Sequence, residues 1–263
     1  MTLALGLVGA TGRLGRVIAA LAPEEDAAIV SAVARPGSRW LGRDLGDALG
    51  QSPCGLIVSE QRSAEVHVVI DVSSPDALTQ TLVDCVYERI PLVLGTTGLS
   101  DAQHAEIDAA AHEIPIVQAY NLSLGVSLLL GLVEQAVRAL GPGFDIEIVE
   151  AHHRRKKDAP SGTALALAEA AARGRGLALA GAAQHGRQGL VGERGASEIG
   201  IHAVRGGTVV GDHQVLLLGN SERLSLGHQA EDRSVFARGA LRAAAWVREQ
   251  APGRYTMRQV LGL

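Results

Sequence analysis

The densest chemistry in the chain lies in residues 150–163, Glu150-Ala151-His152-His153-Arg154-Arg155-Lys156-Lys157-Asp158-Ala159-Pro160-Ser161-Gly162-Thr163. Six consecutive histidine, arginine and lysine residues follow a strand-like stretch, and Ser161, Gly162 and Thr163 then open an alanine- and leucine-rich helical run. A charge run is usually a solvated face. This one begins at the end of a buried-looking strand and stops at a helix N-terminus, whose N–H groups lack intrahelical partners. An anion fits between the cations and Ser161-Gly162-Thr163. A small dicarboxylate suits that arrangement, with one carboxylate on the helix N-terminus and the other on the cations. Histidine and lysine there can also deliver a proton to a substrate being reduced. A metal is not expected: His152 and His153 are adjacent, neighbouring strand residues point to opposite faces, and no third ligand stands at a motif spacing.

A second chemical element opens the chain. Gly9-Ala10-Thr11-Gly12-Arg13-Leu14-Gly15-Arg16 lies between a strand and a helix. Backbone N–H groups and the positive end of a helix dipole bind a pyrophosphate at such a place. The spacing is G-x-x-G-x-x-G and departs from G-x-G-x-x-G, so a tight turn without a ligand is the competing reading. The second expected strand ends in Ala34, where an acid would bind the adenosine ribose of NADH. Arg35 follows, with Arg39 nearby, and a guanidinium suits a 2′-phosphate. The expected cofactor is NADPH and/or NADH, tilted toward NADPH. Gly95-Thr96-Thr97-Gly98 follows the fourth expected strand, where hydroxyls and glycines suit a nicotinamide ribose or, equally, a helix cap.

These segments need elements to hold them. Leu3–Val8, Ala28–Ala34, Val66–Val72, Pro91–Leu94 and Ile114–Gln118 read as strands. Leu14, Val17, Ile18 and Leu21 share a helical face, and Pro75–Arg89 and Asp101–His112 are also helical. The alternation predicts a doubly wound parallel sheet, an α/β Rossmann-type nucleotide-binding domain over residues 1–122. After Asn121 the texture changes. Leu124–Leu140 reads as a long apolar helix, and Phe144–Ile148 alternates with the period of a half-buried strand. Residues 174–195 contain seven glycines and three arginines and read as a mobile loop. Glu198–Arg205, Thr208–Leu218 and Arg223–Gln229 read as antiparallel strands with Gly206-Gly207 as a turn. Residues 123–231 thus form an α+β domain for substrate binding and oligomerisation, with a largely antiparallel sheet. Asp232–Glu249 is helical, and residues 232–263 are expected to return to complete the first domain.

Composition removes several function classes. Aromatics make up 3% of the 263 residues and the formal net charge is −4. Neither suits base stacking or a phosphate backbone, so no nucleic-acid partner is expected. Hydrophobic residues at 47% supply a sizeable core. Cys54 and Cys85 fit neither a disulfide framework nor a metal spacing, which suits a reducing cytoplasm. The N-terminal run MTLALGLVGATGRLG does not read as a signal peptide, and no stretch reads as long enough for a membrane span.

Taken together, the chain resembles the dihydrodipicolinate reductases. The segments that carry the resemblance are Gly9–Arg16, Gly95–Gly98, Asn121–Val126 (Asn-x-Ser-x-Gly-Val), Glu150–Ala164 and Arg205–His213 (Arg-Gly-Gly-x-Val-x-Gly-x-His). It implies hydride transfer from a nicotinamide to C4 of a cyclic imine dicarboxylate, in lysine and diaminopimelate biosynthesis. By the same resemblance, His152 is the proton donor and Lys156 a second donor or electrostatic stabiliser. His153, Lys156, Ser161, Gly162 and Thr163 hold the substrate carboxylates. Gly9, Ala10, Thr11, Gly12, Arg13 and Leu14, then Gly95, Thr96 and Thr97, then Ala119, Tyr120, Asn121 and Leu122 line the cofactor. Members of the family are typically homotetramers and need no metal. Many carry an acid where Ala34 stands. Two other readings compete: another two-domain dehydrogenase, acting on a polyol or an amino acid, and a non-enzymatic NADP-binding sensor. The first leaves the Lys-x-Asp-Ala-Pro-Ser-Gly-Thr block unexplained, and the second has no use for a proton donor.

Overall fold

The computed structural model describes residues 2–263, and the chain divides into two compact units. The first comprises the chain up to Leu124 together with Arg233–Leu263. It opens with β1 (Leu3–Val8), α1 (Arg13–Leu21) and β2 (Ala27–Val33), followed by the short α2 (Leu45–Leu49) and β3 (Val58–Ser59). Then come β4 (Val68–Asp71), α3 (Pro75–Glu88), β5 (Leu92–Leu94), α4 (Asp101–Ala110) and β6 (Pro115–Gln118). Local chemistry sets several of these boundaries. Pro75 occupies the first turn of α3, where its missing N–H costs nothing. Ser100 and Gln103 form a capping box that starts α4.

The second unit, Gly125–Asp232, starts within α5 (Leu124–Leu140) and continues with β7 (Asp145–His152), α6 (Gly162–Arg175), α7 (Leu179–Ala182) and β8 (Ala183–His185). It ends with β9 (Ile199–Arg205), β10 (Gly211–Leu218) and β11 (Arg223–Ala230). These strands form one sheet in the order β11-β10-β7-β9-β8. β7 runs antiparallel to β10 and parallel to β9. Ile146, Ile148, Val215 and Leu217 alternate onto one face and pack with Leu129, Val133 and Val137 of α5 and Leu167 and Ala171 of α6. Each such buried isoleucine, valine or leucine side chain contributes about 1.5–3 kcal/mol.

The chain then returns to the first unit through α8 (Ser234–Val247), β12 (Gly253–Tyr255) and α9 (Met257–Val260). The first sheet is β12-β6-β5-β4-β1-β2-β3, parallel at every pairing. The fold class read from the sequence is therefore correct: a doubly wound parallel sheet plus a second unit with a mixed, mostly antiparallel one. α8 packs closely in the first unit, where a Cβ added to Gly239 would lie 1.7 Å from the Leu122 carbonyl oxygen.

Three expectations need correction. β9 and β10 are not hairpin partners, because β7 lies between them. Period-two alternation says that a segment is a strand but not which strand lies beside it. Residues 174–195 are not a featureless loop: α6 runs to Arg175, and α7 and β8 lie inside the segment. Its three arginines are anchors. Arg175 donates to the Phe144 carbonyl at 2.5 Å, Arg187 to Glu147 at 2.8 and 3.1 Å, and Arg194 to Glu147 at 3.0 Å and Asp145 at 2.7 Å. Burial raises the Glu147 carboxyl, but Arg187, His202 and Arg194 outweigh it and bring the group down to about 2. Finally, Leu124–Gly143 does have the length and composition of a membrane span. Its α5 portion is the core helix of the second unit, burying Leu129, Val133 and Val137.

Candidate active site

In the second unit, one sheet face carries the functional groups. The alternation that buries Ile146 and Ile148 on β7 continues to Glu150 and His152. Glu150 is 0% exposed and His152 9% exposed. In register, His213 on β10 lies opposite Glu150, and Arg205 on β9 lies beside His152. Glu150 is the hub of this group. His152 Nδ1 lies 2.6 Å from its Oε2, and the Ser161 backbone N–H donates to its Oε1 at 3.0 Å. Arg205 donates to both oxygens at 2.7 Å, a fork-to-fork pair. Burial pushes the Glu150 carboxyl up, but hydrogen bonds from Arg205, His152 and Ser161 prevail and hold it below the ordinary glutamate range. A buried charge survives when it is paired and hydrogen-bonded in this way.

Ser161 caps α6: its Oγ accepts from the Ala164 N–H at 3.2 Å. The same oxygen lies 3.1 Å from His213 Nε2. His213 stacks edge-on against His152, with ring centroids 5.1 Å apart. Burial, and then the neighbouring His152, lower His213 to about 4. A Cβ added to Gly211 would lie 3.1 Å from His152 Nε2, so the glycine keeps that nitrogen uncrowded. Gly162 is exposed, and a Cβ added there would meet nothing within 4 Å, so the space before the helix start is open.

The loop after β7 is tied down at several points. Gly206 N–H donates to the His152 carbonyl at 2.9 Å, Arg154 N–H to the Gly207 carbonyl at 3.3 Å, and Arg205 to the Asp158 carbonyl at 2.8 Å. Lys156 pairs with Asp158 at 2.8 Å, and this hydrogen bond lowers the Asp158 carboxyl. His153 is half-buried, and its Nδ1 is buried without a partner among the described residues. No group of three or more histidine, cysteine, aspartate or glutamate side chains among the described residues could hold a metal.

In the first unit, the expected nucleotide-binding segments all follow strands at the carboxyl edge of the sheet. That edge is where doubly wound folds bind dinucleotides, at the point where the strand order reverses, here between β1 and β4. Gly9 has φ +83°, and a Cβ there would lie 2.9 Å from the Val72 carbonyl oxygen. Gly12 is the exposed N-cap of α1 and has no side-chain cap. A Cβ on Gly15 would lie 2.2 Å from the Gly9 carbonyl oxygen, so helix and loop pack there at backbone distance. The three glycines thus supply a tight turn, an open approach and a close packing contact, and the cradle suits a pyrophosphate.

Neighbouring turns complete this edge. Gly95 N–H donates to the Asp71 carbonyl at 2.8 Å, and Ala119 N–H to the Leu94 carbonyl at 3.0 Å. Thr96 is buried and gives its hydroxyl to Asp71 Oδ1 at 3.0 Å. Its side chain is therefore spent on the protein, which leaves backbone groups and the exposed Thr97 for a ligand. The cap of α4 is Ser100, so the Gly-Thr-Thr-Gly turn is not consumed by capping. Tyr120 is exposed with its hydroxyl 3.3 Å from His104 Nε2, Asn121 Oδ1 accepts from the Ser123 N–H at 2.8 Å, and Leu122 is buried. Arg13 and Arg35 are exposed, Ala34 is buried, and Arg39 sits over the Trp40 ring at 4.8 Å.

Sequence reasoning missed Glu150, Arg205, Gly211 and His213 as parts of the site. Glu150 had a readable signal, an acid two residues before His152 on an otherwise apolar strand face. The other three lie in the Arg205–His213 motif, where spacing alone assigns no partner.

Comparison with known proteins agrees over the whole chain. The family described as "Dihydrodipicolinate reductase, N-terminus" matches residues 3–122, and "Dihydrodipicolinate reductase, C-terminus" matches residues 125–261. The 4-hydroxy-tetrahydrodipicolinate reductase of Thiobacillus denitrificans is 46% identical, with 100% of both chains covered. That of Alkalilimnicola ehrlichii is 48% identical, also over 100% of both chains. A dipicolinate-bound dihydrodipicolinate reductase from Paenisporosarcina sp. TG-14 shares the fold, with a TM-score of 0.77, 23% identity, and 97% of this chain and 98% of that one covered.

Proposed function

The chain belongs to the dihydrodipicolinate reductase family, and we propose how its residues divide the work of an NAD(P)H-dependent 4-hydroxy-tetrahydrodipicolinate reductase. The observation that carries the proposal is the convergence of His152, its buried partner Glu150 and the Ser161-capped helix start within one hydrogen-bonded group. The substrate is the cyclic imine dicarboxylate dihydrodipicolinate, formed from 4-hydroxy-tetrahydrodipicolinate, and the product is tetrahydrodipicolinate.

When bound, the nicotinamide supplies the hydride. The Gly9–Leu14 loop, with Ala10 and Thr11 in its turn and Arg13 at its mouth, holds the cofactor's pyrophosphate. Gly95, Thr96, Thr97 and the Ala119–Leu122 stretch, including Tyr120 and Asn121, line the nicotinamide end. Arg35 pairs with a 2′-phosphate, so NADPH is preferred and NADH is still used. The α6 start (Ser161, Gly162, Thr163) receives one substrate carboxylate, and His153 and Lys156 attract the other. Lys156 also offsets negative charge that builds during the addition. His152 gives its proton from Nε2 to the carbon beside the site of hydride addition. The enzyme is placed in the cytoplasm, with the dicarboxylate as its partner.

The proposal extends to a homotetramer assembled through the second unit's sheet. Supporting this, the sheet face opposite the helices carries Val149, Ala151, Val204 and Leu216, none of them buried. A concavity there is lined by Val149, Ala151, Asp212, His213, Gln214, Gly227, His228 and Gln229 and holds none of the expected substrate ligands. The test of the activity is turnover of the cyclic imine with NADPH, followed by loss of reduced-nicotinamide absorbance, beside a polyol and an amino acid with NADP. Turnover of the imine alone is expected; oxidation of either alternative without imine reduction would overturn the reading.

A further inference from the structure

Glu150 does more than neutralise Arg205. An ionised carboxylate only accepts hydrogen bonds, so the 2.6 Å contact from His152 Nδ1 places a proton on that nitrogen. In the neutral ring Nε2 is then the bare nitrogen, on the side where Gly211 leaves room. The second oxygen of the same carboxylate accepts from the Ser161 N–H, the residue that caps α6. One rigid group thus spans the proton donor and the helix start expected to hold a carboxylate. Arg205 locks it from β9 by both oxygens and also holds the Asp158 carbonyl, in the loop that carries Lys156. Other charged or titratable groups facing this cluster are His213 on β10, with His228 of β11 opposite it, and the Lys156–Asp158 pair.

We infer that Glu150 is the positioning residue of the site: it fixes His152 as the Nδ1–H tautomer and sets the distance between that histidine and the Ser161 turn. The inference rests on His152 being the proton donor of the proposed reduction. It makes two demands that a merely structural glutamate would not. The ring nitrogen that receives and delivers the proton must be Nε2. Loss of the carboxylate charge must impair both the proton step and substrate binding, while cofactor binding by the first unit stays unchanged.

The test uses full-length enzyme labelled with 15N-histidine, with His152 assigned by comparison with His152→Gln. At a pH where the ring is neutral, the wild-type spectrum should show the Nδ1–H tautomer; an Nε2–H tautomer would overturn the inference. Glu150→Gln should give a tautomer mixture, a kcat reduced by on the order of 10²-fold or more, a severalfold higher KM for the cyclic imine and an unchanged Kd for NADPH. An unchanged tautomer and kcat in a folded Glu150→Gln enzyme would also overturn it. If that variant does not fold, the wild-type tautomer alone decides. Failure of the wild type to reduce the imine would remove the functional reading and leave the tautomer result standing, so the two failures are separable.

Discussion

His213 and Ser161 are 52 residues apart in sequence and meet with Nε2 3.1 Å from Oγ. Among the described residues His213 Nδ1 is buried without a partner, and a stranded buried N–H is rare in proteins. The proton therefore sits on Nε2 and is donated to Ser161 Oγ, which also accepts from Ala164. A neutral His213 is thus part of the α6 cap. Its pKa of about 4 lies below the ordinary value of 6.5, so the unfolded chain binds the extra proton between those values. Stability from this group is present above pH 6.5 and is lost as pH falls toward 4, by about 3 kcal/mol at most. Thermal melts across that window should show Tm falling with pH, and His213→Gln should flatten the fall. Equal slopes in both proteins would show that His213 is not the group responsible.

Ser161 and Thr163 should separate in their effects. Ser161 is 2% exposed and caps the helix, so Ser161→Ala should cost about 0.5–2 kcal/mol of stability and also raise KM. Thr163 is half-exposed at the open helix start, so Thr163→Val should raise KM for the imine more than it lowers kcat. Melts and steady-state kinetics on both variants check this. A Thr163→Val enzyme with normal KM would remove that residue from the binding site.

Gly211→Ala tests the space around the donor nitrogen. The strand conformation admits alanine, but its Cβ would crowd His152 Nε2 at 3.1 Å. The expected outcome is a kcat lower by roughly tenfold with a Tm close to wild type, since a small misplacement of a catalytic group is costly. Full activity would mean that Nε2 does not need that space.

How much of this was legible in the sequence depended on how the residues are brought together. The glycine loop and the Glu150–Thr163 block are contiguous, and each carries its own strand–turn–helix context, so type and spacing marked both as candidates, though not the part Glu150 plays in the second. Arg205 and His213 reach the site through strand register, with β9 parallel to β7 and β10 antiparallel to it. Alternation shows which residues share a face but not which strand is next, and the same ambiguity produced the mistaken β9–β10 hairpin. The loop error had a different cause. Seven glycines suggested mobility, whereas Arg187 and Arg194 pin the segment to Glu147, a long-range pairing that local composition does not reveal.

Cofactor choice should depend on Arg35. The buried Ala34 follows β2 where an acid would repel a 2′-phosphate, and Arg35 is exposed beside it. A charge-assisted pair is worth about 1.5–3 kcal/mol at best and less where it is exposed, so NADPH should be favoured by no more than roughly tenfold in kcat/KM. Arg35→Ala should bring the two cofactors to near equality, chiefly through KM for NADPH. A clear NADH preference in the wild type would show that Arg35 serves only solvent.

The most direct test of the account is the kcat of a His152→Gln enzyme with the cyclic imine and NADPH, measured beside its Kd for NADPH. Removing a general acid costs typically 10²–10⁴-fold. The expected result is a loss on that order, in a folded protein whose NADPH affinity matches wild type. A folded His152→Gln enzyme that turns over within a few-fold of wild type would contradict the assignment of His152 as the proton donor.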